Sequence, residues 1–187
     1  MTQASILVLP GRGNSGPDHW QTHWEAQDER FERVLQREWT TPEKDEWVRH
    51  VAQVLAARQA PVILVAHSLA VALVNQLAAA WPDLYPDTPL PVAGALLVGP
   101  SDTEATDYPP GPVGFAPMPL RRLPFPSIVV ASTNDPRVTL ERARFFADAW
   151  GARLEVAGAL GHMGSDAKLA DWPQGKQWLE ALLPPAR

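Results

Sequence analysis

The chain contains no cysteine. Disulfide frameworks and thiolate metal sites are therefore excluded. Its five histidines form no HExxH-type pair, so no metal site is expected. Sixteen lysines and arginines stand against 21 acidic residues, for a formal net charge of -5. No basic run stands out to hold phosphates, which argues against nucleic-acid binding. No apolar run approaches the roughly 18 residues of a membrane span. The start of the chain has a four-residue apolar run at 6–9 and no basic lead, unlike a signal peptide. No membrane span and a cytoplasmic location are the resulting expectations.

What the chain does have is apolar mass and alternation. With 187 residues, 45% of them hydrophobic, it can bury one core, and a single domain over 1–187 is expected. Short apolar runs at 6–9, 31–35, 62–66, 92–98, 127–131 and 153–156 read as strands. Between and after them, segments 19–29, 44–58, 69–80, 140–150 and 172–183 carry helical spacing; Trp47, Val48, Val51, Val54 and Leu55 make one stripe. Strands alternating with helices predict an α/β fold, a mainly parallel central sheet with helices on both faces and no separate lid domain. Segment 101–126, with seven prolines and two glycines, has no periodicity and reads as a long loop over the carboxyl edge of the sheet. It either covers part of a site or simply connects two elements.

The chemistry-bearing residues lie where strands end. Ala66-His67-Ser68-Leu69-Ala70 stands between the most apolar strand and an Ala/Leu/Val-rich helix, the place of a nucleophile elbow, whose flanking positions must be small. Alanines stand where glycines are usual, so Ser68 has an alternative reading as the helix N-cap. Asp135 follows the strand at 127–131 and suits either an acid that orients an imidazole or an Asp-Pro turn; Asp102 is the next candidate acid. His162, in the glycine-flanked loop after 153–156, falls where a general base should lie, in the chain order serine, acid, histidine. His67 should point to the other side of the turn. Such a triad transfers acyl groups: His162 takes the Ser68 proton, Asp135 holds the imidazole, and water releases the acyl-enzyme. The carbonyl oxyanion needs donors, for which the backbone N–H groups of Leu69 and Arg12 are available. The loop Gly11-Arg12-Gly13 lacks GxGxxG and GxxxxGK[ST], so no cofactor is expected.

Leu9-Pro10-Gly11, Asn14-Ser15-Gly16-Pro17, His19-Trp20-Gln21, Trp24-Glu25 and the Ser68 pentad, together with Ser132-Thr133-Asn134-Asp135-Pro136 and Gly161-His162-Met163, resemble the RBBP9/YdeN-like family of small serine hydrolases. The resemblance implies a compact α/β-hydrolase with Ser68, Asp135 and His162 as its triad, and it puts Asn14, His19 and Trp20 near the mouth of the site as substrate-binding residues. Ala70 and Arg12 depart from it, where glycine and a bulky residue are expected. The implied partner is a small-molecule acyl or ester substrate; a protein partner is not indicated. Two alternatives stand: a non-catalytic protein-binding module on the same fold, and another acyl chemistry such as thioesterase, amidase or acyltransferase. Eight tryptophans leave a further choice, with Trp20, Trp24 and Trp39 either lining an acyl pocket or filling the core.

Overall fold

The computed structural model describes residues 5–183. Six strands, β1 (Ile6–Leu9), β2 (Phe31–Arg33), β3 (Val62–His67), β4 (Val92–Val98), β5 (Ser127–Ala131) and β6 (Arg153–Val156), form one sheet in the order β2-β1-β3-β4-β5-β6. Every pairing is parallel. An all-parallel sheet needs both faces covered, and the strands show it: β1, β3 and β5 are buried at every position.

Side chains alternate between two apolar layers with the strand period of two. Leu7, Leu9, Leu64, Ala66, Ala95, Leu97, Val129 and Ala131 enter the first, packed by α2 (Lys44–Ala56), α3 (Leu69–Leu84) and α4 (Leu140–Trp150). Ile6, Ile63, Val65, Leu96, Val98, Ile128 and Val130 enter the second, packed by α1 (Trp20–Gln27) and α5 (Pro173–Glu180). The expected α/β architecture with helices on both faces is thus present.

Differences from the sequence reading sit at element ends. Helix α3 runs one turn past residue 80 and takes Pro82 inside it. The buried Trp81 holds that turn by donating Nε1–H to the Thr88 carbonyl at 2.7 Å. Strand β2 ends at Arg33, before the mostly exposed Leu35. Helix α5 starts at Pro173, because Trp172 has a left-handed φ of 39°.

Segment 101–126 is a long loop, but it does not stay at the carboxyl edge. It leaves the carboxyl end of β4, returns to the start of β5, and buries Phe115, Met118, Leu123 and Phe125 in the first layer. It therefore covers the sheet where a crossover helix would stand. Its carbonyls bond to neighbouring elements: Gln76 Nε2–H donates to Phe115 and Pro117, and Trp150 Nε1–H to Pro119. Buried irregular chain of this kind needs such partners for its polar backbone.

The strand order also places a crevice. From β1 the chain moves outward to β2 and then returns to β3 on the other side, so the loops after β1 and β3 diverge. In open α/β sheets a ligand site forms at such a reversal, outside the carboxyl ends of the strands.

Candidate active site

Ser68 follows β3 at that reversal and has φ 60° and ψ -125°. An L-residue held there is strained by about 1–3 kcal/mol, which the surrounding packing must sustain. The turn is fixed by Ser68 N–H donating to the Val98 carbonyl at 2.9 Å, and Ser68 makes no side-chain cap to α3. The capping alternative is thereby removed. Instead, Ser68 Oγ lies 2.7 Å from His162 Nε2. The His162 Nδ1 atom lies 2.9 and 3.0 Å from the two carboxylate oxygens of Asp135. The structure thus brings Ser68, His162 and Asp135 into one hydrogen-bonded line from three separate loops.

Asp135 makes two contacts at once. Its carboxylate has no solvent exposure. Oδ1 accepts both from His162 and from the Arg137 N–H at 2.8 Å, so the side chain closes its own turn while facing the imidazole. Asp102 is not in this position. It pairs with Arg142 at 2.9 Å across the start of α4.

The loop carrying His162 is held by the loop carrying Asp135. Ser132 Oγ accepts from Leu160 N–H at 2.9 Å, and Asn134 Oδ1 accepts from Gly161 N–H at 2.7 Å. Between them the chain passes over Gly99, which has φ 54°. A Cβ at Gly99 would stand 3.3 Å from the His162 carbonyl oxygen and 3.5 Å from Asp135 Oδ2. Both the backbone conformation and the space there favour glycine.

His67 points away from Ser68, as expected. Its Nε2–H donates to the His162 carbonyl at 2.8 Å, tying the end of β3 to the His162 loop. Burial, followed by the neighbouring His162 and His19, holds its pKa well below 6.5. The ring stays neutral, as a donor to a carbonyl with a proton on one nitrogen requires no charge.

Trp20 and His19 are not at the mouth of the site, contrary to the expectation drawn from the family. Trp20 has no exposed surface; it packs among Trp24, Trp172 and His67 and donates Nε1–H to the Met163 carbonyl at 2.9 Å. It anchors the His162 loop from beneath. His19 is 4% exposed, caps α1 by accepting Gln21 N–H on Nδ1, and packs its ring edge-on against His67. Burial, then the charges of Arg33 and His162, lower its pKa to about 4. Asn14 is half-buried, and its Oδ1 accepts from Arg33 Nη1 at 3.0 Å. Trp24 is likewise core, and Trp39 packs against Trp47.

The loop after β1 meets the Ser68 turn through Gly11. A Cβ there would stand 2.8 Å from both the His67 carbonyl oxygen and Ser68 Cβ, and 3.3 Å from Leu69 N. Gly11 therefore lets the next peptide, that of Arg12, approach the start of α3, whose first N–H groups have no helical partner. The Arg12 side chain leads away, donating Nε–H to the Thr40 carbonyl at 2.8 Å. Sequence reasoning singled out Arg12 and overlooked the contact residue beside it. It also missed Ser101, which is buried just past β4 with its Oγ 3.1 Å from Ser68 Oγ. Position at the carboxyl end of a strand was the only signal for it. Among the described residues, no group of three or more His, Cys, Asp or Glu is arranged to hold a metal ion. No helix among them is long and apolar enough to cross a membrane.

Comparison with known proteins agrees with this fold. A protein described as a YdeN-like hydrolase from Pectobacterium atrosepticum superimposes with a TM-score of 0.81 at 28% identity, over 97% of this chain and 94% of that one. The ydeN gene product of B. subtilis follows at 0.69 and 16%, over 96% and 98%. An esterase from Rhodococcus matches at 0.68 and 17%, over 96% and 90%, a likeness of fold. No curated protein matches the chain. The family model described as serine hydrolase matches residues 6–181, and the chain belongs to that family, as a YdeN-like small serine hydrolase of the α/β-hydrolase superfamily.

Proposed function

We propose that this serine hydrolase cleaves carboxylic esters through an acyl-enzyme formed on Ser68, with the Ser68 turn acting as a nucleophile elbow. The observation that carries this reading is the line from Ser68 Oγ through His162 to Asp135, at 2.7 and 2.9 Å. These are hydrogen-bond distances for a nucleophile, its base and the group that orients the base. The strained φ of Ser68 supports the same role, since it presents the hydroxyl beyond the sheet edge.

In the first half-reaction Ser68 Oγ attacks the ester carbonyl carbon while its proton passes to His162 Nε2. The carbonyl π pair moves to oxygen, where the N–H groups of Leu69 and Arg12 are the proposed donors. Collapse expels the alcohol, which takes the proton from His162. Water then repeats the sequence on the acyl-enzyme, and the acid leaves. Asp135 keeps the Nδ1–H tautomer and stabilises the imidazolium as it forms.

The test joins a fluorophosphonate, which phosphonylates an activated serine, with short-chain p-nitrophenyl ester hydrolysis. Wild type should gain one adduct by intact mass and turn over ester, whereas Ser68→Ala should do neither. Asp135→Asn should fold and lose about 10⁴-fold in kcat, by loss of the correct tautomer. A folded wild-type protein that is neither labelled nor active would leave the fold serving binding alone.

A further inference from the structure

Ser68 Oγ has one hydrogen and two lone pairs. If the hydroxyl donates to His162 Nε2, as the 2.7 Å contact and the Asp135 partner on Nδ1 require, it has no hydrogen left for its second contact. The second contact is Ser101 Oγ at 3.1 Å. Ser101 must therefore be the donor and Ser68 the acceptor. One lone pair of Ser68 receives that bond, and the other remains free to attack a carbonyl.

Ser101 is 2% exposed, so its hydroxyl is out of bulk water and its hydrogen is held on Ser68. The hydrogen bonds thus run in one direction, from Ser101 to Ser68 to His162.

We infer that Ser101 is a further catalytic residue, donating a hydrogen bond to Ser68 Oγ as that oxygen develops negative charge. The inference rests on the acyl-transfer reading of the site. As the Ser68 proton moves to His162, charge grows on Oγ and the Ser101 bond strengthens, because hydrogen bonds to ionised acceptors are stronger than neutral ones. No proton leaves Ser101. In the acyl-enzyme Oγ is an ester oxygen and a poor acceptor, so the bond weakens. It strengthens again when the C–Oγ bond breaks and the pair returns to Ser68, which takes its proton back from His162. The donor thus favours both transition states over the states beside them, which is the condition for acceleration. Ser101 opens segment 101–126, and the Arg12 side chain lies along that segment at Gly111. This gives the irregular segment a link to the chemistry as well as to the core.

Three variants, Ser101→Ala, Ser101→Thr and Ser68→Ala, test this beside wild type. Each is followed by the second-order rate of fluorophosphonate labelling, by kcat and KM on p-nitrophenyl acetate, and by thermal melting. Ser101→Ala should label and turn over roughly tenfold more slowly or worse, the size of one charge-assisted hydrogen bond, with KM and melting temperature unchanged. Ser101→Thr, which keeps the hydroxyl, should recover most of the rate. A purely structural Ser101 would lower melting and activity together, and threonine would not separate them. Wild-type labelling rates in folded Ser101→Ala overturn the inference. Failure of wild type itself to label instead removes the acyl-transfer reading, and this role with it.

Discussion

Ser68 could not hold its conformation on its own. Its positive φ is sustained by the Val98 carbonyl on one side and by Gly11 pressed against it on the other. Gly11 differs from Gly99 in the reason for its lack of a side chain. At Gly11 the constraint is space, since a Cβ would meet the His67 carbonyl oxygen and Ser68 Cβ, both at 2.8 Å. Neither neighbour is a flexible side-chain end, so the strand ends must separate to admit a methyl group. Gly11→Ala should therefore lower kcat/KM about a hundredfold, the effect of displacing a reacting group by about 1 Å, while far-UV circular dichroism stays that of wild type. Unchanged kinetics in this variant would mean that the loop after β1 does not support the Ser68 turn.

Helix α1 has no residue in the hydrogen-bonded line, yet it sets where that line lies. It packs against the second layer, and Trp20 reaches from it to the Met163 carbonyl, next to His162. Met163 itself is fully buried with φ 51°, a backbone state that needs outside support. Trp20→Phe keeps most of the apolar bulk but leaves that buried carbonyl without its donor. A stability loss of about 1–3 kcal/mol is expected, measured as a lower urea midpoint at unchanged slope, together with a fall in kcat. If stability falls while kcat holds, α1 serves only the core. The family resemblance puts Trp20 at the mouth of the site; burial instead places it beneath the His162 loop.

Both apolar layers share the strands of one sheet, so we propose that the chain unfolds as one domain in a single transition. Its pH dependence follows from two neutral histidines packed together. His19 is held at a pKa of about 4 and His67 well below 6.5, first by burial. Folded, both are uncharged; unfolded, both bind protons below about pH 6.5. The unfolded state then holds more protons, and stability rises with pH. Stability is therefore complete above about pH 6.5 and is lost as pH falls toward 4, by roughly 3 kcal/mol for His19 at full linkage. The melting temperature should drop steadily from about pH 7.5 to 4.5. His19→Asn, which retains a cap acceptor for Gln21 N–H, should flatten that slope. A melting temperature that is level or rises toward acid would show that neither ring is held neutral by the fold.

Much of this was legible in the chain because its patterns are local. Runs such as Val62 to Ala66 alternate nowhere with polar residues, so they have to be buried on both faces, and the stripe Trp47, Val48, Val51, Leu55 has to face them. Strand ends then marked Ser68, Asp135 and His162 by position and order alone. Local pattern carries no distance between loops, and so it left Ser68 between cap and nucleophile and Asp135 between turn and acid. Nor could it say that segment 101–126 would replace a helix, since its buried residues follow no period. Those points depended on contacts between residues far apart in the chain: Gly11 against Ser68, Trp20 beneath Met163, and Ser101 beside the Ser68 hydroxyl. Such contacts exist only once the sheet has brought the ends of its strands together.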